Sequence, residues 1–348
     1  MPKPPKKNKS LTHKSPPTEQ TQSIQYNLFT QFFGEDKKLS NTIELWDGVP
    51  KYFVSKQAQM KTRDEKGNLP LLKKDFEYKG VRCRVVIQPS VMEQKNGKDM
   101  ASYPSANEEL IEDVLRKFFS DQQHGFHDVK QNESWVRFSL SMIKRELAAR
   151  GKTRSLDQIK ESLDILSGSV LKLFVEDELI YTNPILADVT KVSRKQYLED
   201  PSGYWMARLP ALVSKSVNDL TYRQYNYAKM MELKHQPSRW LLKRLSHHYV
   251  NASFITPYEV LLSSIIRDSG LLTYGRMRDQ VKKFELTLNE IAEEKVITHF
   301  DKEERKGKNN KILDVLYKLY AHTGFIKDVK AANARKKKGM ETLEHRFT

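Results

Sequence analysis

Twice along this 348-residue chain a helix, a tight turn and a second helix lead into a pair of β-rich runs, and few folds accommodate that order. In the first occurrence a short strand, Trp135-Val136-Arg137-Phe138, comes before. SLSMIKRELAAR follows, with Leu140, Ile143 and Leu147 inward and Gly151 as its stop. The basic turn Gly151-Lys152-Thr153-Arg154 reaches Ser155-Leu156-Asp157-Gln158, a capping box in which side chains at both ends satisfy backbone N–H groups. That helix turns Leu156, Ile159, Leu163 and Leu166 to its buried face. Beyond Ser167-Gly168-Ser169, VLKLFV and ELIYTNPILADVT read as strands around the acidic turn Glu176-Asp177.

The second occurrence begins with helices over 220–250, around Tyr225, Tyr227, Met230, Leu233, Trp240, Leu241 and Leu245, with Pro237 opening the second. Thr256-Pro257-Tyr258-Glu259 reads as a capping box opening a helix with Val260, Leu261, Leu262, Ile265 and Ile266, ended by Gly270. The turn runs to Gly275. A long helix from Arg276 to Glu294 buries Met277, Val281, Phe284, Leu288 and Ile291. VITHF, a charged loop DKEERKGKNN and ILDVLYKLY complete a hairpin. This is the order of a winged helix, and the sequence predicts an α+β protein with two of them in tandem, over 105–200 and 201–326.

The flanks have a different texture. Residues 1–39 combine a Lys/Pro/Ser-rich arm, expected to be disordered, with a short segment carrying Tyr26, Phe29, Phe32 and Phe33. That segment is either a helix packed on the body or a peptide that docks elsewhere. Residues 40–104 form a β-rich extension: TIELW, KYFVSK and FEYKGVRCRVVIQPSVM read as strands, broken at Asp47-Gly48, Gly67-Asn68 and Asn96-Gly97. Two readings of residues 24–100 stay open, a protein-interaction region or a satellite sheet packed on the first winged helix. Ser105-Ala106-Asn107-Glu108 is a capping box opening a helix with Leu110, Ile111, Val114, Leu115, Phe118 and Phe119 on one face. The tail 327–348 is basic and expected to fray.

Charge points to the partner. Sixty Lys and Arg against 44 Asp and Glu leave a net +16, which suits a polyanion. One cysteine, Cys83, leaves no internal disulfide and no cysteine-rich zinc site. The basic N-terminus has no apolar core of a secretory signal and no stretch is long enough to span a bilayer, so a cytoplasmic protein without membrane contact is expected. No cofactor or metal is expected.

A recognition helix reads base edges in the major groove from its N-terminal half, while wing and preceding helix hold phosphates. In the second unit this selects Tyr274, Arg276, Arg278, Lys282 and Lys283, with Lys302, Arg305, Lys306, Lys308, Asn309 and Asn310 on the wing. In the first it selects Lys152, Thr153, Arg154, Ser155, Gln158 and Lys160, diluted by Asp157, Glu161 and Asp164.

Residues 278–318, RDQVKKFELTLNEIAEEKVITHFDKEERKGKNNKILDVLYK, resemble the DNA-binding helix and wing of iteron-binding plasmid replication initiators. Residues 135–167, WVRFSLSMIKRELAARGKTRSLDQIKESLDILS, are similar to the first winged helix of initiators of the RepA and TrfA type. The resemblance implies a bacterial, plasmid-associated protein that binds double-stranded DNA at tandem origin repeats and helps open adjacent AT-rich DNA. It also implies recruitment of the host initiator and replicative helicase, and a homodimer in equilibrium with monomer that represses its own promoter. A winged-helix transcription regulator without a replication role is the alternative.

Catalytic motifs are missing where they would be needed. There is no G-x-x-x-x-G-K-[ST] loop. His247-His248-Tyr249 lacks the residue that separates the histidines of a rolling-circle nickase, no histidine has arginine three positions on, and Glu303-Glu304 sits among lysines. The chain is therefore expected not to be an enzyme.

Overall fold

The computed structural model describes residues 24–30, 38–94, 96–191, 204–273 and 275–347. The arm 1–23, Phe32, Phe33 and Tyr274 lie outside the described residues.

The first elements are helix α1 (Ile24–Thr30), strand β1 (Leu39–Ile43) and helices α2 (Glu44–Gly48) and α3 (Lys56–Thr62). TIELW is thus half strand and half helix. The cause is local: the Asp47 carboxylate accepts from the Ile43 N–H at 2.7 Å and from the Thr42 hydroxyl, bending the chain into a helical turn there. KYFVSK forms no strand. FEYKGVRCRVVIQPSVM divides into β2 (Leu72–Tyr78), β3 (Val81–Gln88) and β4 (Ser90–Glu93), the last paired with β5 (Asp99–Ser102). Lys79 and Gly80, at φ 52 and 78, make the two-residue turn that right-twisted hairpin strands favour.

The first helix-turn-helix unit comprises α4 (Ala106–Phe119), β6 (Gly125–Asp128), β7 (Glu133–Phe138), α5 (Leu140–Ala149), α6 (Leu156–Gly168), β8 (Val170–Val175), β9 (Glu178–Pro184) and β10 (Ala187–Thr190). Both expected capping boxes form, at Ser105 with Glu108 and at Ser155 with Gln158. Glu176 and Asp177 turn the β8–β9 hairpin with positive φ at both residues. This wing does not stand alone. It continues the extension in one antiparallel sheet of order β2-β3-β8-β9, while β7 belongs to a second sheet, between β6 and a strand over Trp205–Arg208 that pairs in turn with β10. Part of the extension, β2–β3, is therefore continuous with the wing, while β4–β5 form a separate two-stranded sheet against α6.

The second unit comprises β11 (Trp205–Arg208), α7 (Ala211–Asn218), β12 (Tyr222–Asn226), α8 (Tyr227–Glu232), α9 (Gln236–His248), β13 (Tyr258–Leu261), α10 (Leu262–Ser269), α11 (Met277–Glu293), β14 (Ile297–Lys306), β15 (Ile312–Ala321) and α12 (Thr323–Phe347). Its sheet order, β13-β15-β14, with α10 and α11 between the first two strands in sequence, is that of a complete winged helix. Four expectations are corrected. Tyr222–Asn226, expected to be helical, is strand β12 because it pairs with β1. Tyr258–Leu261 is a strand and not the start of a helix, because it pairs with Leu316–Leu319 and buries Val260. Most of the charged DKEERKGKNN run is strand, since Asp301–Lys306 pair with residues of β15. The tail is helical to Phe347: α12 packs on β12, and the buried Arg335 donates to Asn41 Oδ1 at 2.7 Å and to the Leu28 and Phe29 carbonyls at 2.8 and 2.5 Å. The same contacts fasten α1, where Tyr26 and Phe29 are buried, so the described part of the aromatic segment, Ile24–Thr30, is a packed helix. β1 is likewise fastened, pairing with β12.

On α4, Glu108, Glu109, Glu112, Asp113 and Arg116 are all buried: α9 of the second unit meets Glu109 and Asp113, Ser162 of α6 meets Glu108, and the 46–52 stretch meets Glu112 and Arg116. Arg116 holds Asp47 with two hydrogen bonds, 2.7 and 3.0 Å, and Asp113 with one at 2.8 Å. Lys243 of α9 meets both Asp113 oxygens at 2.7 and 2.8 Å, and Arg239 meets Glu109 at 3.3 Å. Glu112 accepts from Tyr52 at 2.5 Å and from the Trp46 indole. Burial disfavours charge on Asp47, but Arg116 and Lys243 outweigh it and hold the carboxyl well below the usual range. One apolar core runs through both units around this network.

Removing one partner of such a network leaves buried charge uncompensated. Asp113→Ala should lower unfolding free energy by ~3–5 kcal/mol, read from urea denaturation by tryptophan fluorescence. Because core and network are shared, the wild type should unfold in one transition; two resolved transitions would contradict the shared core.

Candidate nucleic-acid interface

The second unit presents the more complete site. Gly270 ends α10 at φ 68, its N–H bonded to the Ile266 carbonyl, and a Cβ there would meet Phe53 at 2.9 Å. The tight turn is therefore pressed against the extension. α11 then buries Val281, Phe284, Leu288 and Ile291 against the sheet, and the Phe284 ring meets Tyr317 of β15 edge-on at 4.9 Å. With that face fixed, Arg276, Arg278, Lys282 and Lys283 all point to solvent. Among the described residues none of the four pairs with a carboxylate. Arg276 is the N-cap, Arg278 lies in the first turn and Lys282 one turn further on. Cations are costly at a helix N-terminus, so this clustering is not what α11 needs for its own stability.

The expected wing residues divide. Lys302 pairs with Glu285 of α11 at 2.7 Å, a bond that raises its pKa and braces the wing strand on that helix. Lys306 pairs with Glu304 at 3.3 Å. Arg305, Lys308 and Asn310 are exposed, the last two in a 3₁₀ turn over Lys308–Asn310 that caps the hairpin. The side chain of Asn309 lies outside the described residues.

In the first unit four of six expected contacts are engaged within the protein. Arg154 donates twice to Asn107 Oδ1 of α4, at 2.7 and 3.0 Å. Lys152 donates to the Leu233 carbonyl at 2.9 Å, and burial followed by the neighbouring Arg239 lowers its pKa. Ser155 and Gln158 are the capping box itself. Thr153 and Lys160 are exposed. Lys144 and Arg145 on α5 are exposed and went unselected; the rule that the first helix of the pair crosses the phosphate backbone would have found them. The first wing has an acidic tip, Glu176-Asp177, with Asp177 paired to Arg84 at 3.3 Å. That tip repels phosphate.

Among the described residues no group of His, Cys, Asp and Glu side chains is placed to hold a metal, and no helix is long and apolar enough to cross a membrane. His247 and His248 end α9, and the His247 ring lies 3.2 Å from the Thr42 hydroxyl. Cys83 is buried in β3.

No family model and no curated protein matches the chain. Among solved structures, domains 2 and 3 of RctB, as a selenomethionine derivative, are 13% identical with a TM-score of 0.49, covering 79% of this chain and 97% of that one. A second structure of those domains is 12% identical with a TM-score of 0.45, over 79% and 98%. The Pi initiator protein in complex with iteron DNA is 11% identical with a TM-score of 0.35, over 83% and 100%. All three likenesses are distant.

The geometry separates two kinds of cation. Arg278→Ala should weaken binding to a preferred duplex by ~1–3 kcal/mol and leave random DNA nearly unaffected. Lys308→Ala should weaken both alike and reduce the slope of log affinity against log salt by ~0.9. Fluorescence anisotropy across a salt series distinguishes them, and equal losses on both duplexes for Arg278→Ala would remove its reading role.

Proposed function

We propose that this chain is a non-enzymatic, sequence-specific DNA-binding protein that initiates plasmid replication from directly repeated origin sites. The observation that carries the DNA-binding reading is the α10–turn–α11 unit, with its unpaired basic face beside a braced β14–β15 wing. Support for direct repeats comes from the α4–α9 boundary. Two unlike helix-turn-helix units are fixed to each other by buried, directional ion pairs, so one chain offers an asymmetric pair of reading elements. A palindrome needs two identical elements related by a two-fold axis.

The finer parts of the proposal rest on the resemblance at 135–167 and 278–318. They are opening of AT-rich DNA beside the repeats, contact with host initiator and helicase, exchange between dimer and monomer, and repression of the chain's own promoter. The exposed Thr153, Lys160, Lys144 and Arg145 would then follow the backbone from the first unit, while α11 reads bases from the second.

A monomer should protect roughly two helical turns, with the reading elements about 34–36 Å apart along one face. Footprinting on duplexes selected from a random pool, with the bound mass measured in parallel, tests this. Protection of a palindrome by a dimer would instead favour a transcription regulator. A plasmid whose only replication gene encodes this chain should be lost when Arg278 is replaced by Ala.

A further inference from the structure

We infer that Leu286 of α11 reads a thymine methyl group in the major groove, so that the preferred site contains an A·T pair at the position this side chain reaches. The inference deepens the DNA-reading proposal and rests on it.

Leu286 stands two residues from both Phe284 and Leu288, about 200° around the helix from each at 3.6 residues per turn. Those two are buried against the sheet, which puts Leu286 on the opposite side, 46% exposed. A lone exposed leucine ordinarily calls for no explanation. This one is in the middle of the face proposed to meet DNA. Lys282 lies one turn before it and Asn289 nearly one turn after it, both exposed, with Lys283 beside them. Nearby acidic side chains are turned to other work: Glu285 pairs with Lys302, and Glu290 accepts from the Lys234 and His235 N–H groups and the Ser238 hydroxyl at the start of α9. Asp279 and Glu293, exposed on the same side two turns before and after Leu286, are set against Arg276, Arg278, Lys282 and Lys283, so that side keeps a net positive balance.

The groove offers one apolar group, the C5-methyl of thymine, and an aliphatic side chain is its complement. Asparagine is the side chain that pairs bidentately with adenine. Leu286 and Asn289, three residues apart on one side of the helix, thus carry the two chemistries that an A·T pair or step displays. Leu286 is about 14 Å from the start of α11 at 1.5 Å per residue, three residues beyond Lys283, the last cation of the helix.

Replacing one thymine by deoxyuridine removes that methyl and nothing else. On a duplex enriched from a random pool by the full chain, single deoxyuridine substitutions should reveal one position where wild-type affinity falls about fourfold, the value of one buried methyl-sized group. Leu286→Ala, on an exposed face where alanine favours helix, should bind the thymine and deoxyuridine duplexes equally at that position. Arg278→Ala should keep the fourfold difference. The inference is overturned if Leu286→Ala retains the discrimination, or if the wild type shows none at any thymine. A pool that yields no enriched sequence overturns the DNA-reading proposal and this inference with it.

Discussion

Asp113 is reached from two sides of the boundary between the helix-turn-helix units, by Arg116 from its own helix and by Lys243 from the facing one. Ion pairs buried this deeply add little net stability over apolar packing, because taking the charges out of water offsets their attraction. Their value is directional. A guanidinium gripping Asp47 through two nitrogens, or an ammonium shared by two carboxylate oxygens, is satisfied in one arrangement, whereas leucines tolerate sliding. The network therefore fixes how α4 and α9 sit together, and through them the separation and tilt of α6 and α11.

That fixed frame makes the inequality of the two units meaningful. The second carries an unpaired basic helix face and a wing braced by Lys302. The first uses Lys152 and Arg154 to hold its own framework and ends its hairpin in two acidic residues. A wing absorbed into a four-stranded sheet is also stiffer than a free hairpin. The exposed positive charge of the two units is therefore unequal, concentrated on α11 and its wing.

Much of the architecture was legible because it is written in local chemistry. The capping boxes at Ser105 and Ser155, the stripe of α11 and the two-residue turn at Glu176-Asp177 each depend on residues a few positions apart. What escaped is non-local. Nothing near Tyr258 says that Leu316–Leu319 will pair with it, so a proline-led stretch passed for a helix start. Nothing near Arg335 shows the Leu28 and Phe29 carbonyls that fold it into the body. The exposed basic side of α11 could be placed because helical periodicity alone separates inside from outside. The engagement of Arg154 and Lys152 could not, because their partners Asn107 and Leu233 lie 47 and 81 residues away.

Arg335 and Leu28 are joined across 307 residues of chain, and this has a consequence for how the protein is made. A ribosome adds ~5–20 residues each second, so roughly 15–60 s separate the emergence of α1 from that of the side chain that clamps it. β1 waits a little over half as long for β12. Within that interval Tyr26 and Phe29 gain Phe119 to pack on, but the Leu28 and Phe29 carbonyls lack the guanidinium that later holds them.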